Sequence, residues 1–110
     1  MKLKPSLRQK KRYVLFEIQA DKGFSLPEVA EAVETALQRF LGELGIAKAS
    51  PMLVKEKWNQ QKQRFVLKVN HTHVDELKSA LILNKKIKNT PVLIRSIVTS
   101  GTLKKISSHL

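Results

Sequence analysis

The stretch RYVLFEIQA, from Arg12 to Ala20, alternates its side chains with the two-residue period of a β-strand. From Val14 to Ile18 its even-numbered positions are all apolar and share one face: Val14, Phe16 and Ile18. Its odd-numbered positions share the other face: Tyr13, Leu15 and Glu17. An all-apolar face beside a mixed one predicts a strand that lies inside a sheet and packs its even-numbered side against helices.

Helical signals follow this strand. Ser25-Leu-Pro-Glu28 is a capping box, and apolar residues at helical spacing continue as far as Leu44, with Gly45 as the expected C-cap. Thr72 with Asp75 is expected to cap a second helix, which runs from Val74 to about Lys86. Basic residues near its end favour a helix C-terminus: Lys85, Lys86 and Lys88. A final short helix is predicted over Thr102–His109.

The remaining segments predict three more strands, over Met52–Trp58, Arg64–Asn70 and Pro91–Thr99, with a polar hairpin loop at Asn59–Gln63. The order is β-α-β-β-α-β. This order predicts an α+β, ferredoxin-like fold: a four-stranded antiparallel sheet with two helices on one face, plus the short C-terminal helix. The first and third strands are then central. Trp58, at a strand end, is expected to pack at the edge of the core rather than to stack on a base.

Composition narrows the class of protein. The 110 residues fit a single domain, 42% of them are hydrophobic, and the net charge is +12. Such a basic excess implies an anionic partner, with nucleic acid favoured over a membrane surface because no apolar stretch approaches the length of a span. The chain has no Cys, which excludes disulfide scaffolds and Cys-based metal sites. With no signal-peptide pattern, a cytoplasmic location is expected.

The basic charge is concentrated near the chain ends. The first twelve residues contain six Lys or Arg and no acid, and residues 1–11 are predicted to form a basic N-terminal arm of an RNA-binding domain. Antiparallel pairing of the first and last strands would bring the Ser100–Lys105 segment close to this arm. The predicted RNA-binding residues are Lys4, Arg8, Lys10, Lys11, Arg12, Arg95, Lys104 and Lys105. If the arm is only a solvated tail, RNA would instead be held by Lys55, Lys57, Arg64 and Lys68.

The sheet face opposite the helices is predicted to be partly aliphatic. It lacks the aromatic pairs on which an RNA-recognition motif stacks bases, since Phe65 should point into the core and only Tyr13 has the right parity. The predicted protein-interface residues on this face are Leu15, Val66, Leu93 and Ile97. An uncovered aliphatic face favours a protein partner, and coverage by the C-terminal helix of the same chain is the alternative.

No catalytic or metal-binding constellation is found in the sequence. His71 and His73 are close together, but the only further His is His109, so a metal site is not predicted. The glycines never cluster into a phosphate-binding loop, and no nucleophile lies beside a base in a recognisable pattern. The chain alone is therefore predicted to be inactive as an enzyme and to bind no cofactor.

Several short segments together resemble one protein family. They are LRQKKRY (Leu7–Tyr13), FLGELG (Phe40–Gly45), LVKEKW (Leu53–Trp58), VNHTHV (Val69–Val74) and SGTLKK (Ser100–Lys105). In this order and spacing, which span nearly the whole chain, they resemble protein component two of archaeal ribonuclease P. That family is homologous to a small eukaryotic subunit of ribonuclease P and ribonuclease MRP.

The resemblance implies a role in a ribonucleoprotein endonuclease. Members of this family support a catalytic RNA that removes the 5′ leader from precursor tRNA, and Mg²⁺ is expected on that RNA rather than on the protein. The implied partners are ribonuclease P RNA, precursor tRNA, ribonuclease P protein component three and the other protein subunits. The alternative hypothesis is a ferredoxin-like protein-interaction or ligand-sensing module whose basic charge is incidental.

Overall fold

The computed structural model describes residues 10–110, which contain a four-stranded sheet, a two-stranded hairpin and four α-helices. Short 3-10 turns also occur at Lys55–Lys57 and His71–His73. In chain order the elements are β1 (Lys11–Gln19), α1 (Leu26–Phe40), α2 (Gly42–Ala49), β2 (Met52–Leu53), β3 (Arg64–Asn70), α3 (Val74–Leu83), β4 (Lys86–Ile87), β5 (Thr90–Pro91), β6 (Leu93–Ser100) and α4 (Leu103–Ser107).

The main sheet has the strand order β2-β3-β1-β6, and every neighbouring pair is antiparallel. The two central strands are β1 and β3, which confirms the predicted ferredoxin-like fold. The predicted second strand is too long, because the backbone leaves the sheet after Leu53 and turns through Lys55–Lys57. No helix within residues 10–110 has the length and apolar character needed to cross a membrane.

The main hydrophobic cluster lies between the sheet and the helices α1 and α3. Its sheet side contains the apolar even-numbered residues of β1 (Val14, Phe16 and Ile18) and the odd-numbered residues of β3, as expected from the sequence. Phe16 and Phe65 are paired across the two strands, and their rings stack with centroids 5.2 Å apart. Trp58 packs against this cluster, which confirms its predicted position at the edge of the core. We call this set of residues the helix-side cluster.

The first helix begins as predicted but ends earlier. The backbone N–H of Glu28 donates to Ser25 Oγ, and the Glu28 carboxylate accepts from the Ser25 N–H, so both halves of the capping box are present. α1 ends at Phe40 because Gly42 has φ +71°, a left-handed conformation that interrupts the helix. The chain then continues as α2. The predicted C-cap at Gly45 is therefore wrong, since Gly45 lies inside α2.

The second predicted helix, α3, is also shorter than expected. It ends at Leu83, and Lys86 belongs to the β4–β5 hairpin instead. No side chain caps its N-terminus, where the expected Thr72 and Asp75 cap is replaced by the preceding 3-10 turn. The lysines that were expected to stabilise the C-terminus of this helix therefore lie beyond it.

A second hydrophobic cluster covers the opposite face of the sheet. It consists of buried Leu15, Val66 and Ile106, surrounded by partly buried neighbours, and we call it the open-face cluster. Leu15 and Val66 are fully buried (relative exposure 0%) because α4 lies over them and inserts Ile106. Their predicted availability as a protein interface is wrong, and the alternative, coverage by the chain's own C-terminal helix, is correct. The neighbours are Tyr13, Val54, Ile97, Val98, Leu103 and Leu110.

The two remaining interface residues lie on β6. A β-bulge shifts the pairing of β1 with β6, so that Leu15 is opposite Val98 while Phe16 is opposite Ser96. Ile97 falls in the bulge and packs against the open-face cluster, so it is only partly accessible. Leu93 is 47% exposed. Of the four predicted interface residues, Leu93 is thus the one whose side chain remains largely open to solvent.

The polar loop between β2 and β3 contains a buried side chain. Gln63 Oε1 accepts from the Phe24 backbone N–H (2.8 Å), and Gln63 Nε2 donates to the Phe24 carbonyl (3.1 Å). The Gln63 carbonyl also accepts from the Ile18 N–H at 2.9 Å. These bonds fix the segment that leads from β1 into α1.

Burial of Ile106 predicts that α4 is an essential part of the fold. Ile106→Ala is expected to lower the free energy of unfolding by about 2–5 kcal/mol, because it removes buried methyl groups and leaves a cavity above Leu15 and Val66. Urea denaturation followed by circular dichroism measures this loss. Leu44→Ala, at a site that is 69% exposed, is the control and should stay within about 0.5 kcal/mol of the parent protein. Equal effects of the two substitutions would contradict the docking of α4.

Candidate nucleic-acid interface

The ends of β1 and β6 meet at one edge of the molecule. Tyr13 is paired with Ser100, so the first residues of β1 lie beside the residues that follow β6. A Cβ atom at Gly101 would lie 3.6 Å from Arg12 Nη1, which shows how closely the two chain ends approach. This register confirms the prediction that the Ser100–Lys105 segment falls near the start of the first strand. We use the name strand-end patch for five basic residues of these segments: Lys10, Lys11, Arg12, Lys104 and Lys105.

The start of β1 is held by hydrogen bonds from the end of β3. The Lys10 carbonyl accepts from the His71 backbone N–H at 2.8 Å, and His71 Nδ1 lies 3.2 Å from the same oxygen. The Lys11 ammonium group donates to Asn70 Oδ1, and Asn70 Nδ2 donates to the Lys48 carbonyl at 2.6 Å. Lys10 and Lys11 therefore enter the fold at fixed positions. The predicted RNA-binding residues Lys4 and Arg8 lie outside the described residues.

The lysines of α4 face solvent because the opposite side of the helix is buried. Thr102 caps the helix by accepting a hydrogen bond from the Lys105 N–H (3.4 Å), and Ser100 Oγ accepts from the Thr102 N–H (3.1 Å). Ile106 then points into the open-face cluster, while Lys104 and Lys105 are exposed. The same contact that covers the sheet thus orients two cations next to the start of β1.

Arg95 is not part of the strand-end patch. It is paired with Glu17, at the other end of β1, five residues before Ser100 along β6. That separation corresponds to roughly 15 Å along the strand. Its guanidinium group also binds Glu17, with Arg95 Nη2 3.1 Å from Glu17 Oε1. The predicted role of Arg95 in RNA binding therefore stays a prediction, at a position separate from the strand-end patch and beside a carboxylate that Arg95 shares with Arg64.

Glu17 is the centre of a small ionic network. Arg64 Nε donates to Glu17 Oε2 at 2.9 Å, while Arg95 donates to Oε1. Burial disfavours the charged form of Glu17, whose side chain is only 13% exposed, but hydrogen bonds from Arg64, Gln19 and Arg95 outweigh it and lower the pKa of this carboxyl group. Arg64 also donates to the His109 carbonyl, so the network contacts the C-terminal segment that follows α4.

The aromatic residues and the histidines considered as base-stacking or metal-binding candidates are in structural positions. Phe65 is fully buried in the helix-side cluster and Tyr13 packs against the open-face cluster, so β1 and β3 offer no open pair of aromatic rings for base stacking. Within residues 10–110, no group of three or more His, Asp or Glu side chains is placed to bind a metal ion. The ring nitrogens of His71 and His73 lie near the Lys10 carbonyl and the Thr72 hydroxyl respectively.

The sequence prediction omitted one basic residue beside the strand-end patch from its first choice of RNA-binding residues. Lys68 is paired with Tyr13 across β1 and β3, and its side chain is partly exposed. Lys68 is two residues from Val66 in β3, so both side chains lie on the face of the sheet that α4 covers. The two-residue period of the strand is enough to predict this position. Lys68 extends the basic surface from the strand-end patch onto the open face of the sheet.

Comparison with known proteins identifies relatives along nearly the whole chain. The sequence model of the Rpp14/Pop5 family matches residues 12–110. Proteins named "Ribonuclease P protein component 2" are 35% identical in Thermococcus kodakarensis and 36% identical in Pyrococcus furiosus, each over 94% of this chain and 85% of the relative. The protein of that name from Methanocaldococcus jannaschii is 35% identical over 94% of this chain and 74% of its own length.

A solved structure has the same fold. A chain in the cryo-EM structure of yeast ribonuclease MRP superimposes with a TM-score of 0.67, over 93% of this chain and 92% of that chain. The two sequences are 14% identical, so this similarity supports the fold.

The lowered pKa of Glu17 predicts a specific dependence of stability on pH. A carboxyl group with a depressed pKa in the folded state stabilises the protein above its unfolded-state pKa, and this contribution is lost as the pH falls through the folded-state value. Glu17→Gln should therefore destabilise the protein at pH 7, and the difference from the parent should shrink in acid, below about pH 4. Urea denaturation of both proteins at pH 7 and pH 3 measures this. A difference that is constant with pH would contradict an ionic role for Glu17.

Proposed function

The chain belongs to the Rpp14/Pop5 family, and on this basis we propose that it is a protein subunit of ribonuclease P that binds the catalytic RNA and promotes removal of the 5′ leader from precursor tRNA. The observation that carries this proposal is the strand-end patch, where exposed lysines from both ends of the domain converge on one edge. A phosphate backbone is the partner that such a concentration of positive charge favours.

The hydrogen bonds around the patch support binding to structured RNA. Lys10 and Lys11 have their backbone or side-chain atoms fixed by the end of β3, and Lys104 and Lys105 project from a helix that is docked by Ile106. Cations that are already positioned lose less conformational freedom on contact with phosphates than cations on a loose tail. The arrangement therefore suits phosphate contacts at defined places on a folded RNA.

The proposed role includes other components of the enzyme. Partner candidates are ribonuclease P protein component three, the other protein subunits and precursor tRNA, and the proposed location is the cytoplasm. Exposed apolar residues outside the strand-end patch support contact with protein, among them Leu44 and Leu93. In this proposal the RNA and its Mg²⁺ ions perform the cleavage, while this chain contributes binding and positioning.

The second candidate, a protein-interaction or ligand-sensing module with incidental charge, differs in one measurable respect. Binding through phosphates releases counterions, so affinity must fall steeply with salt concentration. An interaction module of the same charge would bind RNA only non-specifically, with no preference for ribonuclease P RNA over an unrelated RNA of equal length. Reconstitution with ribonuclease P RNA and the other protein subunits, scored by precursor tRNA cleavage, tests the proposed function as a whole.

We expect the double variant Lys104→Ala/Lys105→Ala to bind ribonuclease P RNA with a weaker salt dependence. Each lost phosphate contact lowers the slope of log affinity against log salt by about 0.7–0.9, so two contacts lower it by about 1.4–1.8. Filter binding or fluorescence anisotropy across a salt titration measures the slope. Circular dichroism verifies that the variant is folded.

The matched control is Lys22→Ala/Lys62→Ala, which removes the same charge from exposed sites beyond the far end of β1. This variant should keep the parent slope, because charges beyond a Debye length of about 10 Å contribute little. Equal slopes for the two double variants would show that the strand-end patch does not hold the RNA, and would favour Lys55, Lys57, Arg64 and Lys68.

The purified chain, free of RNA, is predicted to lack nuclease activity. Within residues 10–110, no group of three or more His, Asp or Glu side chains is placed to bind a metal ion. Incubation of the chain alone with precursor tRNA and Mg²⁺ should leave the substrate intact. Cleavage that copurifies with the protein and survives nuclease removal of all RNA would contradict this prediction.

A further inference from the structure

A second group of basic residues lies in the connection between α3 and β6. Its members Lys85, Lys86 and Lys88 follow the end of α3 at Leu83, and the last turn of that helix contains no basic residue. From the sequence, these charges were expected to stabilise the C-terminus of the helix. Because they lie beyond its last turn, this explanation does not apply. The side chains of all three are exposed. Their position needs a different explanation.

The β4–β5 hairpin holds these lysines in a defined geometry. Lys86 pairs with Pro91 and Ile87 pairs with Thr90, while Ile87 is buried against the helix-side cluster. The turn residues Lys88 and Asn89 have φ values of +50° and +66°, the geometry of a tight hairpin turn. Lys88 also binds Glu31 on α1, with Nζ 2.8 Å from Oε2. The hairpin is thus fixed to α1 by a buried side chain and an ion pair.

The hairpin and the second half of α1 enclose an open cleft of about 570 Å³. Arg39 approaches it from α1, and Lys85 and Lys86 approach from the other side, together with the polar side chains of Thr35 and Asn89. Among the ion pairs of residues 10–110, none involves Arg39, Lys85 or Lys86. We call this feature the hairpin cleft.

Two carboxylates of α1 lie beside the hairpin. Glu31 binds Lys88, and Glu28 accepts hydrogen bonds from the N-terminal cap of α1 at Ser25. Neither carboxylate forms an ion pair with Arg39, Lys85 or Lys86. The combination of unpaired cations with hydroxyl and amide donors is the chemistry that recognises phosphate and ribose oxygens.

The hairpin cleft and the strand-end patch lie on opposite sides of the sheet. The cleft is lined by α1, which packs on the helix side, while Lys104 and Lys105 are on α4, which covers the other face. A straight backbone segment that follows one surface does not reach the other.

We propose that the hairpin cleft binds the phosphate backbone of a second RNA segment, so that this protein bridges two separate segments of one folded RNA. The inference rests on the proposed function, because it requires that the partner of the strand-end patch is RNA. It assigns a role to Arg39, Lys85 and Lys86. A bridging protein of this kind stabilises the arrangement of RNA helices on both sides of it.

The test uses a cleft variant, Arg39→Gln/Lys85→Gln/Lys86→Gln, in the full chain with ribonuclease P RNA. Three lost phosphate contacts should lower the salt slope by about 2–3 units. Hydroxyl-radical footprinting should show that protection of one RNA segment is lost while the segment that depends on Lys104 and Lys105 stays protected. The double variant of those two lysines should show the reverse pattern.

A second variant tests the cleft in the opposite direction. Glu31→Gln releases Lys88 from its ion pair, and the freed ammonium group should steepen the salt slope by up to about 0.9. Thermal unfolding should be nearly unchanged, since an exposed ion pair contributes little to stability. A steeper slope in this variant together with a shallower one in the cleft variant supports RNA binding at the cleft.

The remaining outcomes separate this proposal from the proposed function. If the cleft variant keeps the parent slope and footprint while the strand-end variant does not, the second site is refuted and the proposed function stands. If the cleft variant instead loses binding of a protein subunit, the cleft is a protein site and the proposal is wrong. Loss of the same protected segment in both variants would refute bridging. A parent protein without any salt-dependent RNA binding would refute the proposed function itself.

Discussion

The pairing of β1 with both β3 and β6 is the constraint on which the rest of the structure depends. β1 is a central strand whose two faces are both covered, by helices on its even-numbered side and by α4 on its odd-numbered side. Its register fixes where β6 ends, and hence where Lys104 and Lys105 lie relative to Lys10. The same register places Glu17 opposite Arg95. The positions of the strand-end patch and of Arg95 follow from this single alignment.

Much of the fold was predictable from local patterns. The alternation in β1 and β3 and the capping box at Ser25 are signals that short segments carry by themselves, and each was confirmed. The early end of α1 was not predicted, because apolar spacing continues past Gly42 even though its backbone is left-handed. The burial of Gln63 was also not predicted. Its partner, the Phe24 backbone, is distant in sequence and becomes a neighbour only after folding.

The candidate site was predicted in part. The meeting of the two basic segments followed from strand order and antiparallel pairing alone. The covering of Leu15 and Val66 did not, because α4 is a five-residue helix with a single buried side chain, and its sequence does not distinguish docking from exposure. The β-bulge beside Leu15 moved Ile97 and Val98 in a way that no periodic pattern anticipates. Arg95 is separate from the strand-end patch because of its place in β6, opposite Glu17, and its ion pair with Glu17 holds it there.

Placement of the two hydrophobic clusters on opposite sides of one sheet has a spectroscopic consequence. The chain contains a single tryptophan and a single tyrosine. Trp58 packs against the helix-side cluster, and Tyr13 packs against the open-face cluster. Each side of the sheet therefore has its own intrinsic chromophore. Indole fluorescence follows the packing of the helices α1 and α3, and the phenol signal follows the seating of α4. The native chain thus allows the two layers to be observed separately, without any introduced label.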